Sequence, residues 1–150
     1  MDQQIIQDLV LTELNIIKTD GGDVLHGMKK SDPGFISFGE AYFSTVTKNS
    51  IKAWKRHHKM TMNLIVPSGE IGFGIFDDRE ESESFGKFST IVLSQSNYFR
   101  LTVPPMLWLG FKGLSEDLSY LLNIADIEHD PNEVDHLDLN EIDYDWSYLK

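Results

Sequence analysis

The sequence predicts an all-β fold, a barrel or a double-sheet jelly roll, on three observations. Short runs rich in β-branched and aromatic residues recur at close spacing, as at residues 40–47 (EAYFSTVT), 88–93 and 99–103. Turn-forming clusters separate them: Thr19-Asp20-Gly21-Gly22, Ser31-Asp32-Pro33-Gly34, Lys48-Asn49-Ser50, Pro67-Ser68-Gly69 and Ser94-Gln95-Ser96-Asn97. Within the runs the apolar positions alternate with a period of two, most clearly at Ile71, Phe73 and Ile75.

The elements follow in order. Ile5, Ile6, Leu9, Val10 and Leu11 open a segment that reads as a short helix or a strand, and residues 10–17 as a strand ending at the Asp20-Gly21-Gly22 turn. Residues 23–30 are mixed, and the strand over 40–47 leads through a hairpin-like turn into the stretch 51–79, IKAWKRHHKMTMNLIVPSGEIGFGIFDDR. That stretch carries Lys52, Lys55, Arg56 and Lys59 beside the pair His57-His58. Strict alternation places Ala53, Lys55, His57 and Lys59 on one face and Lys52, Trp54, Arg56 and His58 on the other, and leaves open which faces inward. Gly72 and Gly74 suit close packing or bending of the hairpin that follows. Residues 77–86 form a charged loop, Pro104-Pro105 an irregular corner, and 106–111 and 119–124 two further buried strands. From Asp126 the pattern weakens into a short irregular tail with a turn at Asp130-Pro131-Asn132 and one helical turn.

Composition bounds the function. The 150 residues fit one domain over 1–150, and 41% apolar content supports a packed core. With no cysteine, disulfides, thiolate metal sites and cysteine nucleophiles are excluded. The formal charge of −11 is concentrated late, because no Lys or Arg lies between Lys112 and Lys150, and this argues against nucleic-acid binding. No apolar segment is long enough to span a membrane and the first residues lack a basic leader, so a cytoplasmic location is expected. Dinucleotide, nucleotide-triphosphatase, serine-hydrolase and zinc-protease motifs are missing, and no cofactor is expected.

The pieces FGEAYFSTV (38–46), IKAW (51–54), Pro67-Ser68-Gly69-Glu70, FDDREESESFGKF (76–88), LSQSNYFRLTVPP (93–105), LGFKGLS (109–115) and Asp130-Pro131-Asn132-Glu133 occur in an order that resembles the dTDP-4-dehydrorhamnose 3,5-epimerases and related sugar-nucleotide isomerases, over about residues 9–146. The resemblance implies a cupin jelly roll (a double-stranded β-helix barrel), a homodimer, and a nucleotide-linked 4-keto-6-deoxy sugar as substrate in surface polysaccharide biosynthesis. The chemistry it implies is proton removal next to the keto group. This needs a base, a donor or cation at the enolate oxygen, and an acid on the opposite face.

The family's site residues do not all carry over. Its catalytic His falls at Lys55, its enolate-stabilising Lys at Asn63, its acidic Tyr at Leu122 with Tyr120 the nearest alternative, and a further His at Leu109. The keto-isomerase branch carries a His-x-His pair whose second member is kept as His57. The expected catalytic residues are therefore His57 or Lys55 as base and Tyr120 as acid. Lys55 needs its pKa lowered, a direction in which Lys52, Arg56 and Lys59 push it.

Expected substrate contacts are Lys52, Arg56, Asn63 and Arg79. The cationic cluster either holds a diphosphate or solvates a strand edge, and Arg79 either grips the diphosphate by a bidentate contact or pairs within its loop with Asp77, Asp78 or Glu80. No metal is expected, since the cupin ligand positions hold Lys55, His57, Met62 or Asn63, and Leu109. His129 and His136 read as part of a solvated tail. The rival to an enzyme is a sugar-nucleotide binding or partner protein that kept the scaffold and lost its base and acid.

Overall fold

The computed structural model describes residues 6–149; Ile5, part of the predicted first segment, lies outside them. Twelve strands are arranged as β1 (Val10–Glu13), β2 (Ile16–Ile17), β3 (Val24–Leu25), β4 (Glu40–Val46), β5 (Ile51–His57), β6 (Met62–Ser68), β7 (Glu70–Phe76), β8 (Phe88–Ser94), β9 (Phe99–Val103), β10 (Trp108–Gly113), β11 (Ser119–Ala125) and β12 (Val134–His136). Two five-stranded antiparallel sheets, ordered β1-β9-β6-β11-β4 and β12-β5-β10-β7-β8, face each other, and β2 and β3 form a separate hairpin. This is the expected jelly roll.

Alternation builds the core. Val46, Leu64, Val66, Ile71, Phe73, Ile75, Ile91, Leu93, Leu101, Val103, Leu109 and Leu121 point between the sheets and are buried there. The β6–β7 hairpin turns at Gly69, whose φ of 86° suits glycine and whose Cβ would meet Ser119 Oγ at 2.3 Å. The predicted strand over 10–17 breaks in two at Leu14-Asn15, because β1 continues the first sheet on β9 while β2 leaves to pair with β3.

Both outer faces are covered in part. On the first sheet, Leu14, Ile65 and Tyr98 pack with Ile16 and Leu25 of the β2–β3 hairpin. The following loop is pinned by Arg100, which donates to Gly27 O (2.8 Å) and Pro33 O (2.7 Å). On the second sheet lies the acidic tail. Ile142, Trp146 and Leu149, with Leu137 and Tyr144 beside them, pack on Trp54 and Trp108. Gly72, Gly74 and Gly110 make the floor for it: a Cβ on Gly72 would meet Leu149 at 2.7 Å, one on Gly74 Tyr144 at 3.0 Å, and one on Gly110 Trp146 at 2.9 Å.

The tail is docked on the sheet and not solvated throughout, while His129 and His136 stay exposed as expected. After Asp126 the chain forms 3-10 turns at Pro131–Glu133, Leu139–Glu141 and Trp146–Tyr148 and an added strand, β12, on the edge of β5. Most of its carboxylates are exposed, Glu133 excepted, while Ile142, Trp146 and Leu149 are buried, which average composition conceals.

Candidate active site

The cationic stretch falls on β5, and its register decides what the barrel encloses. Leu109 of β10 pairs with Lys55, but Phe111 pairs with Lys52, so three steps on β5 match two on β10. This bulge changes the phase of the strand. Lys52 thereby joins Lys55 and His57 on the face that also carries Leu109 and Phe111, both packed on the inner core. Trp54, Arg56 and His58 take the outer face. Strict alternation had separated Lys52 from Lys55, and the bulge is the reason it fails.

His57 is 2% exposed. Its Nδ1 lies 2.5 Å from Glu133 Oε1, while its Nε2 is buried with no hydrogen-bond partner among the described residues. Glu133 reaches it from the 3-10 turn Pro131–Glu133, which starts at Asp130, whose side chain accepts from Asn132 N–H, and which has Pro131 in its first turn. The other carboxylate oxygen, Oε2, accepts the backbone N–H groups of His58 (3.0 Å), Lys59 (2.9 Å) and Met60 (3.2 Å). Burial pushes the Glu133 pKa up, but hydrogen bonds from His57 and the Lys59 and Met60 amides outweigh it and hold the carboxyl below its ordinary value. An ionised Glu133 accepts a hydrogen bond from His57 Nδ1–H, which leaves Nε2 as the lone-pair nitrogen.

Burial is the largest influence on His57 and lowers its pKa; Glu133 opposes this, and Lys55 and His129 reinforce it. The imidazole is thus neutral and able to take a proton at ordinary pH. Lys55, half-buried two positions away on the same face, is lowered first by burial, raised by Glu133 and lowered by Lys52. It offers an N–H donor and a positive charge beside the imidazole.

The other expected residues are distributed differently. Lys52 donates to Thr45 O (2.8 Å), joining β5 to β4. Arg56, on the outer face, binds Asp135 (2.7 Å) and Asp78 (3.3 Å) and lies 4.5 Å above the Trp108 ring. Arg79 pairs with the fully buried Asp77 (2.9 Å) and with Asp8 (3.2 Å). Burial acts to raise the Asp77 pKa, but Arg79, Ser82 and Ser84 hold it far below the carboxylate range.

Asn63 is buried on the outer side of its sheet, donating to Gly34 O (3.1 Å) and accepting from Thr102 Oγ1 (2.7 Å). Tyr120 is 41% exposed and also points out of the barrel. The structure therefore brings Lys52, Lys55 and His57 together and sets Arg56, Asn63, Arg79 and Tyr120 apart from them. Sequence reasoning missed the role of Glu133, for which the Asp130-Pro131 turn start is the available signal. Among the described residues no group of three or more His, Asp or Glu is placed to hold a metal ion.

A jelly-roll barrel holding a carboxylate-paired histidine and a half-buried lysine on one interior strand is built for acid–base chemistry. The chain is 32% identical over 112 residues to a probable low-salt glycan biosynthesis epimerase of Haloferax volcanii, covering 71% of this chain and 72% of that protein. It is 25% identical over 145 residues to a spore coat polysaccharide biosynthesis protein of Bacillus subtilis, covering 85% and 96%. The crystal structure of a dTDP-sugar isomerase from Desulfovibrio desulfuricans superposes with a TM-score of 0.91 at 35% identity, over 95% of this chain and 92% of that one. No family model matches the chain. The chain belongs to the family of these glycan-biosynthesis epimerases and dTDP-sugar isomerases, and it is an enzyme of the isomerase class.

Proposed function

We propose that this enzyme epimerises or keto-isomerises a nucleotide-linked, dTDP-type 4-keto-6-deoxy sugar in surface polysaccharide biosynthesis, with the His57–Glu133 pair as its base. The observation that carries the assignment of the base is the buried imidazole whose Nδ1 is held by Glu133 at 2.5 Å and whose Nε2 is free on the barrel's inner side. In this reading Nε2 takes the proton from the carbon next to the keto group, and the C–H electron pair passes into an enolate. Lys55 stabilises the enolate oxygen as a cation and donor, a role that suits its place beside His57 better than that of base. Lys52, on the same face, is the candidate for the diphosphate.

The enzyme acts as a homodimer in the cytoplasm. Ile36, Phe38 and Phe43 are exposed apolar residues on or leading into the edge strand β4, and Tyr120 of the neighbouring strand is exposed beside them, which suits a partner surface. Among the described residues no helix is long and apolar enough to cross a membrane.

The test is proton exchange in deuterated water, followed by NMR on a dTDP-linked 4-keto-6-deoxy sugar. Enzyme-dependent loss of the C3 or C5 proton signal that disappears in His57→Ala supports the assignment. Exchange that survives His57→Ala and disappears in Lys55→Ala moves the base to Lys55, and saturable binding without exchange removes the catalytic reading of this site.

A further inference from the structure

Epimerisation needs a second proton-transferring group on the far side of the sugar from the base, and the family resemblance had pointed to β11, where Leu122 and Tyr120 stand. Neither provides it. Leu122 packs with the outer cluster around Ile65, and Tyr120 faces outward. Among the described residues, Tyr98 belongs to the same outer cluster, Tyr144 packs on the tail side of the other sheet, and Tyr148 is exposed.

Tyr42 is placed otherwise. On β4 it pairs with Asn123 of β11, in the phase of Val46, Leu121 and Ala125, all of which belong to the inner core. One contact joins β4 to β5 directly, Lys52 Nζ to Thr45 O (2.8 Å), and at the start of β4 the Glu40 carboxylate accepts the His129 N–H of the segment that leads to Glu133. Tyr42 lies between Glu40 and Thr45 on the inner side of β4, and a chain of contacts through Asn123, Met60 and Glu133 links it to His57.

The hydrogen bonds of Tyr42 also fit an acid. Asn123 Oδ1 accepts the Asn63 backbone N–H (3.2 Å), which only the amide oxygen can do, so the orientation of the Asn123 amide is fixed. Its Nδ2 then donates to Tyr42 Oη (3.1 Å). The phenol oxygen is occupied as an acceptor, and its own proton is left for a group inside the barrel. Asn123 Nδ2 also lies 3.9 Å from Met60 Sδ, and the Met60 N–H binds Glu133, so one residue touches both the tyrosine's support and the histidine's.

We infer that Tyr42 is the acid opposite His57, which makes the reaction an epimerisation. The inference rests on the proposed function. His57 Nε2 removes the proton and the C–H pair forms the enolate. Tyr42 Oη–H delivers a proton to the other face of the same carbon as the enolate pair returns to form the new C–H bond. The phenolate, held by the Asn123 amide, regains a proton from water, and the imidazolium gives its proton to water.

The experiment compares wild type, Tyr42→Phe and Tyr120→Phe on a dTDP-linked 4-keto-6-deoxy sugar in deuterated water. NMR reads deuterium entry at C3 or C5 separately from inversion, and thermal melting checks each variant. Tyr42→Phe keeps the ring and its packing. The expected result is that it exchanges within about threefold of wild type, because His57 still removes and returns the proton on one face, while inversion falls about 10²-fold or more. Tyr120→Phe matches wild type in both.

Inversion by Tyr42→Phe within about twofold of wild type overturns the inference. So does equal loss of exchange and inversion in a variant that melts normally, or formation of a keto isomer in place of an epimer by wild type. Absence of exchange and inversion in wild type overturns the proposed function itself, and this assignment with it.

Discussion

The two faces of β5 carry similar residues to opposite ends. Outside, Arg56 is held by Asp135 and Asp78 over the Trp108 ring, and His58 Nε2 lies 2.7 Å from Asp135, so each of the two side chains meets a carboxylate. Inside, His57 is held on one nitrogen only, and Lys55 is half-buried beside it. Ion pairs that satisfy both partners fasten the tail to the sheet. A buried imidazole satisfied on one side is a group kept ready for something else. In the proposed function the cation-rich strand is a fastening on one side and a reagent on the other.

Substitutions on the two faces should separate accordingly. His57→Ala should lower the exchange rate about 10³-fold, roughly 4 kcal/mol in the barrier, and proton exchange followed by NMR checks it. Trp146→Ala, on the tail that covers the outer face, should cost about 3 kcal/mol of stability, read by chemical denaturation, because it empties the space above Gly110 and Trp54.

Glu133→Gln should reduce turnover about 10²-fold, and its pH profile sharpens the comparison. Burial lowers the His57 pKa and Glu133 partly restores it, so losing the carboxylate charge should move the acid limb of kcat/KM further toward low pH even as the rate falls. Both groups of the dyad have folded-state pKa values below their unfolded ones. The unfolded chain therefore binds more protons, and the stability that the pair contributes is lost as pH falls below the ordinary values of His and then Glu, which denaturation at several pH values would follow. Arg56→Ala is expected to have the smallest effect, about 1 kcal/mol of stability with turnover within about twofold of wild type.

Much of the fold was legible. The strand over 40–47, the pair 88–93 and 99–103 and the Gly69 hairpin lie where alternation and turn residues put them. The site was legible only in part, and each failure has a local cause. Lys52 was assigned to the wrong face because a period of two cannot show a bulge, and the pairing of β5 with β10 that creates this one is a long-range event. Glu133 entered only as the end of the Asp130-Pro131-Asn132-Glu133 piece and without a role, since the Asp130-Pro131 start marks the turn but not which of the eleven acids after Lys112 it carries inward. Tyr120 and Tyr42 differ in facing, which depends on strand partners. β11 alternates without a break, with Ser119, Leu121, Asn123 and Ala125 buried, but which of its two parities faces the interior is set by packing on the opposite sheet and not by counting from a motif.

The dyad joins residues 76 positions apart. Its carboxylate comes from the segment after β11, which docks on strands that all precede it in the chain. A chain whose final segment has not yet docked would have the barrel and its histidine but no carboxylate to polarise it. Chemical competence would thus arrive with the last step of assembly, and recovery of activity during refolding would report docking of the C-terminal segment and lag behind the formation of β-structure.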